Sequence, residues 1–164
     1  MTDDRKADWA GAARALPRGS VVVIRARDAG RRQTLADELY GLARLLIAGD
    51  PGLAEETGAA GLHLPELRVG EAGHWRARHP DWIITSSAHS LRGLMNVAHL
   101  DAVFLSPVFA TTSHQGTKPL TSVRAAMIAA QAQVPVYALG GVTVRNGVRL
   151  AQSFSGIAAI TSLL

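Results

Sequence analysis

Seven short runs of consecutive apolar residues, separated by segments the length of a helix, most limit what this chain can fold into. The runs are Val21–Ile24, Leu45–Ala48, Gly61–Leu64, Trp82–Thr85, Ala102–Leu105, Val134–Leu139 and Gly156–Ile160. Apolar residues on successive positions, rather than alternate ones, describe strands covered on both faces, which is the signature of a parallel sheet with crossover helices. Helical spacing predicts those helices over Arg31–Arg44, Leu53–Thr57, Leu91–His99 and Val123–Gln133, with another over Ala7–Leu16 that Thr2 or Asp3 would cap. No linker, low-complexity stretch or shift in composition divides the 164 residues, so residues 1–164 read as a single α/β domain. A (β/α)8 TIM-type barrel is expected over a doubly wound sheet, because no Gly-x-Gly-x-x-Gly or Gly-x-x-x-x-Gly-Lys-Ser/Thr loop is present. The count is one strand short of eight.

The C-terminal quarter suggests a ligand. The run ending at Leu139 passes directly into Gly140-Gly141-Val142-Thr143, and the next run ends at Ile160-Thr161. Glycines let backbone N–H groups approach an anion closely, and a following helix N-terminus would add a favourable dipole. In barrels of this kind a phosphate sits on the loops after the last two strands. The other reading of the glycine pair is a tight turn.

Composition narrows the function classes. The chain has no cysteine, which removes disulfides, thiolate metal sites and a cysteine nucleophile. No apolar run approaches the ~18–20 residues that span a bilayer, and no leader is recognised, so no membrane association and a cytoplasmic setting are expected. The net charge of +4 comes from fifteen Arg and two Lys, scattered with no cluster longer than Arg31-Arg32. With aromatics at 5%, nucleic-acid binding is disfavoured and a phosphorylated small molecule is preferred.

Active sites on this architecture lie at the C-terminal ends of strands, so the polar residues there can be read in order. They are Arg25, Arg27, Asp50, His63, Glu66, Ser87, His89, Ser106, Thr111, Ser113, His114 and Lys118. Guanidinium forks and hydroxyls suit phosphate oxygens. Taken singly, each has a structural reading too: His63 and His89 as satisfied histidines, Arg25 and Arg27 as a solvated strand end, Thr111 and Ser113 as loop-stabilising hydroxyls.

The segments Val23–Arg27, Gly58–Leu64, Ser87-Ala88-His89, Ser106–Ser113, Ala138–Thr143 and Gly156–Leu163, in this order, resemble the thiamine phosphate synthase/TenI superfamily over essentially the whole chain. The resemblance implies a barrel whose first strand ends in Thr-Asp. Met1-Thr2-Asp3 would then be the tail of that strand, with the true start upstream and an unpaired edge that favours a homo-oligomer. It further implies a synthase that joins a pyrimidine pyrophosphate to a thiazole phosphate, releasing pyrophosphate held by Mg²⁺ and cations, to give thiamine phosphate.

Several positions depart from the family pattern. The Asn-Asp pair that holds the metal falls on Ala48-Gly49, and the second metal aspartate falls near Leu67-Arg68, leaving Asp50 and Glu66 as nearby substitutes. Val23 stands for the Gln of Gln-x-Arg-x-Lys and Arg27 for its Lys. In the Thr-x-Thr-Lys loop, Thr111 and Ser113 keep the hydroxyls, while His114 replaces the lysine and Lys118 is the nearest substitute. Pro107 stands where the tautomerase branch carries its histidine.

The expected catalytic set is therefore Arg25, Arg27, Ser87, His89, His114 and Lys118. The expected phosphate set is Thr111, Ser113, Gly140, Gly141, Ile160 and Thr161. Three functions stay open: the transferase, a metal-independent thiazole phosphate tautomerase using His89 or His114, and a non-catalytic barrel that binds a phosphorylated ligand.

Overall fold

The structure is a computed structural model and describes residues 1–3, 8–111 and 118–160. Among the described residues seven strands form one sheet whose spatial order is their order in the chain, and every neighbouring pair is parallel. They are β1 (Val21–Ile24), β2 (Arg44–Ala48), β3 (Gly61–Leu64), β4 (Ile83–Ala88), β5 (Ala102–Leu105), β6 (Val136–Ala138) and β7 (Gly156–Ile157). The helices are α1 (Trp9–Ala15), α2 (Ala29–Leu39), α3 (Pro51–Glu56), α4 (Ala72–Arg78), α5 (Ser122–Ala129) and α6 (Val144–Gly147). A parallel pair needs a crossover connection. The alternation of strand and helix along the chain supplies one at most steps.

Alternation along each strand sends side chains to two faces. On the helix-covered face, Val22 and Ile24 of β1 and Leu45 and Ile47 of β2 pack in one cluster with Trp9, Leu35, Leu39 and Leu53. A second cluster joins Leu62, Leu64, Ile84, Val103, Leu105 and Val136 to Ile128 of α5 and to Leu150 and Phe154. The other face carries Val23, Leu46, His63, Thr85, Ser87, Phe104 and Tyr137, aligned by the register pairs Val23↔Leu46, His63↔Thr85, Ser87↔Phe104 and Phe104↔Tyr137. The inner face thus begins apolar and becomes polar and aromatic from β3 onward.

Several expected boundaries move, each for a local reason. Helix α2 stops at Leu39, because Gly41 takes a positive φ of 76° and turns the chain into β2 at Arg44. The helix expected over Leu91–His99 is only a 3₁₀ turn at Leu91–Leu94. Gly93, a poor helix former, packs there against Glu66 and Ala88. The last strand is shorter than Gly156–Ile160.

Helix α1 is capped by Asp8, whose carboxylate accepts the Gly11 N–H at 2.7 Å, and not by Thr2 or Asp3. Thr2 is instead fully buried: its N–H donates to Val23 O at 2.8 Å and its Oγ1 accepts the Arg25 N–H at 2.9 Å. The Met1 amine donates to Ala159 O at 3.1 Å. Residues 1–3 therefore lie between β1 and the segment that follows β7. Beneath them an apolar cavity of ≈ 50 Å³ is bounded by Met1, Trp9, Ala13, Leu16, Val22 and Ile160.

Candidate functional site

The loops that leave the C-terminal ends of the strands hold most of the chemistry. On the inner face, His63 is 3% exposed and both ring nitrogens are engaged, Nδ1 with Thr85 Oγ1 and Nε2 with Ser87 Oγ, each at 2.9 Å. The Phe104 ring meets the imidazole edge-to-face at 5.3 Å. Burial pushes the His63 pKa down to about 3, and the positive charge of Arg25 pushes the same way. His63 is therefore a neutral imidazole at physiological pH. A neutral ring donates through one nitrogen and accepts through the other, so one of Thr85 and Ser87 donates a hydrogen bond to it and the other accepts one. Ser87 is half-buried, which puts this hydroxyl between the imidazole and the rim.

Next to it, the His89 Nδ1–H donates to Ser106 O at 2.8 Å, which turns Nε2 toward Glu66 at 4.0 Å. Glu66 accepts the His89 backbone N–H at 3.0 Å. The chain thus joins His89 and Glu66, and the β4 and β5 ends, into one polar corner. Arg27 and Lys118 are exposed and Thr111 is half-buried. Ser113, His114 and Thr161 lie outside the described residues.

At the glycine pair, φ is +88° at Gly140 and +64° at Gly141. A Cβ on Gly140 would come within 2.7 Å of Pro107 Cα, and one on Gly141 would overlap Ala110 O. Phe109 N–H donates to Gly140 O and Val108 N–H to Leu139 O, each at 3.0 Å. The glycines are thus required by the close approach of the segment that leads into Thr111. Among the described residues, no acceptor meets the N–H groups of Gly140 and Gly141. Helix α6 behind them is a single turn whose start is filled by its own capping box between Thr143 and Asn146, so the dipole expected there adds little.

The neighbouring ends of β1, β2 and β3 are stitched together by two arginines that sequence reading passed over. Arg32 donates to Ala26 O, Arg27 O and Asp50 Oδ2. Arg68 donates to Gly49 O at 2.7 Å and grips both oxygens of Glu71, at 2.6 and 2.7 Å. These bonds hold the Glu71 carboxyl below the usual carboxylate range and raise the Arg68 guanidinium. The Arg68-x-x-Glu71 spacing was the signal available, and it reads as an ordinary surface pair until the fold brings Gly49 beside it.

A magnesium ion at a phosphate site takes one or two protein carboxylates, with water and substrate phosphates completing its octahedron, so Asp50 and Glu66 are the side chains to weigh. Asp50 Oδ1 caps α3 through the Leu53 N–H and its Oδ2 pairs with Arg32. Glu66 Oε2 accepts the His89 N–H, and Gly49 O accepts Arg68. Among the described residues, no three His, Cys, Asp or Glu side chains converge as a metal-binding group. The donors at the expected metal positions do not fit magnesium.

A parallel sheet in sequence order, with a glycine-paired loop after β6 and arginines, hydroxyls and imidazoles at the strand ends, defines an α/β protein of the TIM type. The family model described as thiamine monophosphate synthase matches residues 2–163, and the chain belongs to that family. A relative in Aquifex aeolicus (strain VF5), named "Putative thiamine-phosphate synthase 2", is 33% identical over 132 residues, spanning 75% of this chain and 70% of its own. Among solved structures, a thiamine phosphate pyrophosphorylase from Pyrococcus furiosus superposes with a TM-score of 0.72 at 20% identity, over 97% of this chain and 82% of that one. A 3-hexulose-6-phosphate synthase superposes with a TM-score of 0.58 at 12% identity, over 77% of this chain and 70% of that one. These two structures speak for the fold.

Proposed function

We propose that this chain is a transferase of the thiamine phosphate synthase type, joining a pyrimidine pyrophosphate to a thiazole phosphate. The ring nitrogen of the thiazole forms the new C–N bond to the pyrimidine methylene carbon. The C–O bond to pyrophosphate breaks, and pyrophosphate leaves with the bonding electrons. What carries the reading is family membership over nearly the full length, together with the Gly140 and Gly141 N–H groups, unmet among the described residues, beside the Thr111 segment.

In this reading the Gly140 and Gly141 N–H groups hold the thiazole phosphate, helped by Thr111, Ser113, Ile160 and Thr161. Backbone donors are suited to that task because they are already oriented and lose little freedom on binding. Arg25, Arg27 and Lys118 take the pyrophosphate, whose growing negative charge as the bond breaks is what a positively charged rim stabilises. Ser87, oriented by neutral His63, offers the pyrimidine a hydrogen bond. His89 and His114 are the groups able to carry a proton. The barrel is read as eight-stranded, with Met1–Asp3 at the rim end of the remaining strand. The bonds of Thr2 to β1 and of Met1 to Ala159 support that closure.

The direct test is turnover of the two substrates followed by mass spectrometry. Appearance of thiamine phosphate is the expected result. A folded protein that binds thiamine phosphate and forms none would replace the transferase with a phosphate-binding barrel.

A further inference from the structure

We propose that this rim binds its pyrophosphate group without a divalent cation, the Arg68 guanidinium standing at the place where the family resemblance puts magnesium. The inference rests on the transferase reading above and concerns how its leaving group is held. Two positions were expected to carry the metal acids, one directly after β2 and one in the segment after β3. In the folded chain these positions touch each other, but through an arginine: Arg68, in the segment after β3, donates to the carbonyl of Gly49, directly after β2.

The oxygens nearby are already committed to N–H donors. Gly49 O and both Glu71 oxygens accept from Arg68, Asp50 accepts from Leu53 N–H and Arg32, and Glu66 Oε2 accepts from His89 N–H. A dication would have to share these oxygens with N–H donors and sit beside a permanent positive charge. An anion meets the opposite situation. A guanidinium has five N–H groups; among the described residues Arg68 spends three on Gly49 and Glu71, leaving two, on a side chain that is 38% exposed. The grip of Glu71 holds the guanidinium plane in place, so little side-chain freedom is lost when a phosphate oxygen arrives. Arg32, tied to Asp50 and to the carbonyls of Ala26 and Arg27, steadies the adjoining loops, and Arg25, directly after β1, adds a further positive charge at a neighbouring strand end.

The experiment is calorimetric titration of inorganic pyrophosphate into the protein, with chelator and again with excess Mg²⁺, alongside Arg68→Gln and Arg68→Lys. The expected result is binding in chelator at least as tight as in Mg²⁺, since the ion competes for pyrophosphate in solution. Arg68→Gln should weaken binding about tenfold to a hundredfold, as loss of a charge-assisted contact does. Arg68→Lys should recover part of it by keeping the charge without the fork. Pyrophosphate that binds only with Mg²⁺ would overturn the inference and leave the transferase reading standing. So would wild-type affinity in an Arg68→Gln protein that melts normally. Failure of the wild-type protein to bind pyrophosphate under either condition would instead bring down the transferase reading, and this inference with it. The comparison of the two conditions needs only the wild-type protein, so it holds even if a substituted protein misfolds.

Discussion

Lowering the pH should weaken this fold, and His63 is a residue whose share in that loss can be isolated. In the unfolded chain its imidazole takes up a proton near its ordinary value of 6.5, whereas the folded protein holds off that proton until about pH 3. Between those values the unfolded state binds more protons than the folded one, so stability is fully present above pH 6.5 and is lost as the pH falls. At about 1.4 kcal/mol per pH unit across the gap, the loss from this one group is roughly 2 kcal/mol between pH 7.5 and 5, growing to roughly 4–5 kcal/mol near pH 3. For a chain of this size, 2 kcal/mol is a fall of about 4–8 °C in melting temperature.

The assay is thermal unfolding at pH 7.5, 6 and 5 for the wild type and for His63→Gln, which keeps a polar group beside Ser87 but takes up no proton. The substituted protein should start less stable and lose less on acidification, so the two curves converge. Carboxylates contribute to both proteins alike and drop out of the comparison. Parallel curves of equal slope would refute the reasoning, showing that His63 is not held neutral by burial.

Other perturbations have equally definite outcomes. Gly141→Ala should cost about 2 kcal/mol or more in chemical denaturation, because it forces a side chain into a positive-φ position and against Ala110 O. Asp101→Ala should lower stability by about 1–3 kcal/mol in urea melts, since its carboxylate accepts both the Ile84 N–H and Arg76. Leu46→Ala, at a fully buried position on the inner face of β2, should cost about 2–5 kcal/mol by the same assay.

The strand-and-helix rhythm was legible because a strand covered on both faces tends to be apolar on consecutive positions. A segment such as Leu45–Ile47 has few other ways to remove its side chains from water. The boundaries were less legible, because turns such as the one at Gly41 depend on single backbone conformations. The glycine pair could be found from sequence, but not the reason for it. Only the fold shows that Pro107 and Ala110 come close enough to exclude a Cβ.

The same division holds for the rim. Local chemistry along the chain determined the parallel α/β architecture, the family and the list of residues at strand ends, since apolar runs, caps and motif spacing are properties of neighbours in sequence. Which of those residues meet was decided by tertiary structure alone. His63 on β3 finds Thr85 and Ser87 on β4, and Arg68 finds Gly49 nineteen residues away. Parallel strands are joined by crossovers, so residues that share a rim are separated by a helix in sequence. Burial, proton affinity and ion pairing arise only once the sheet has set them side by side.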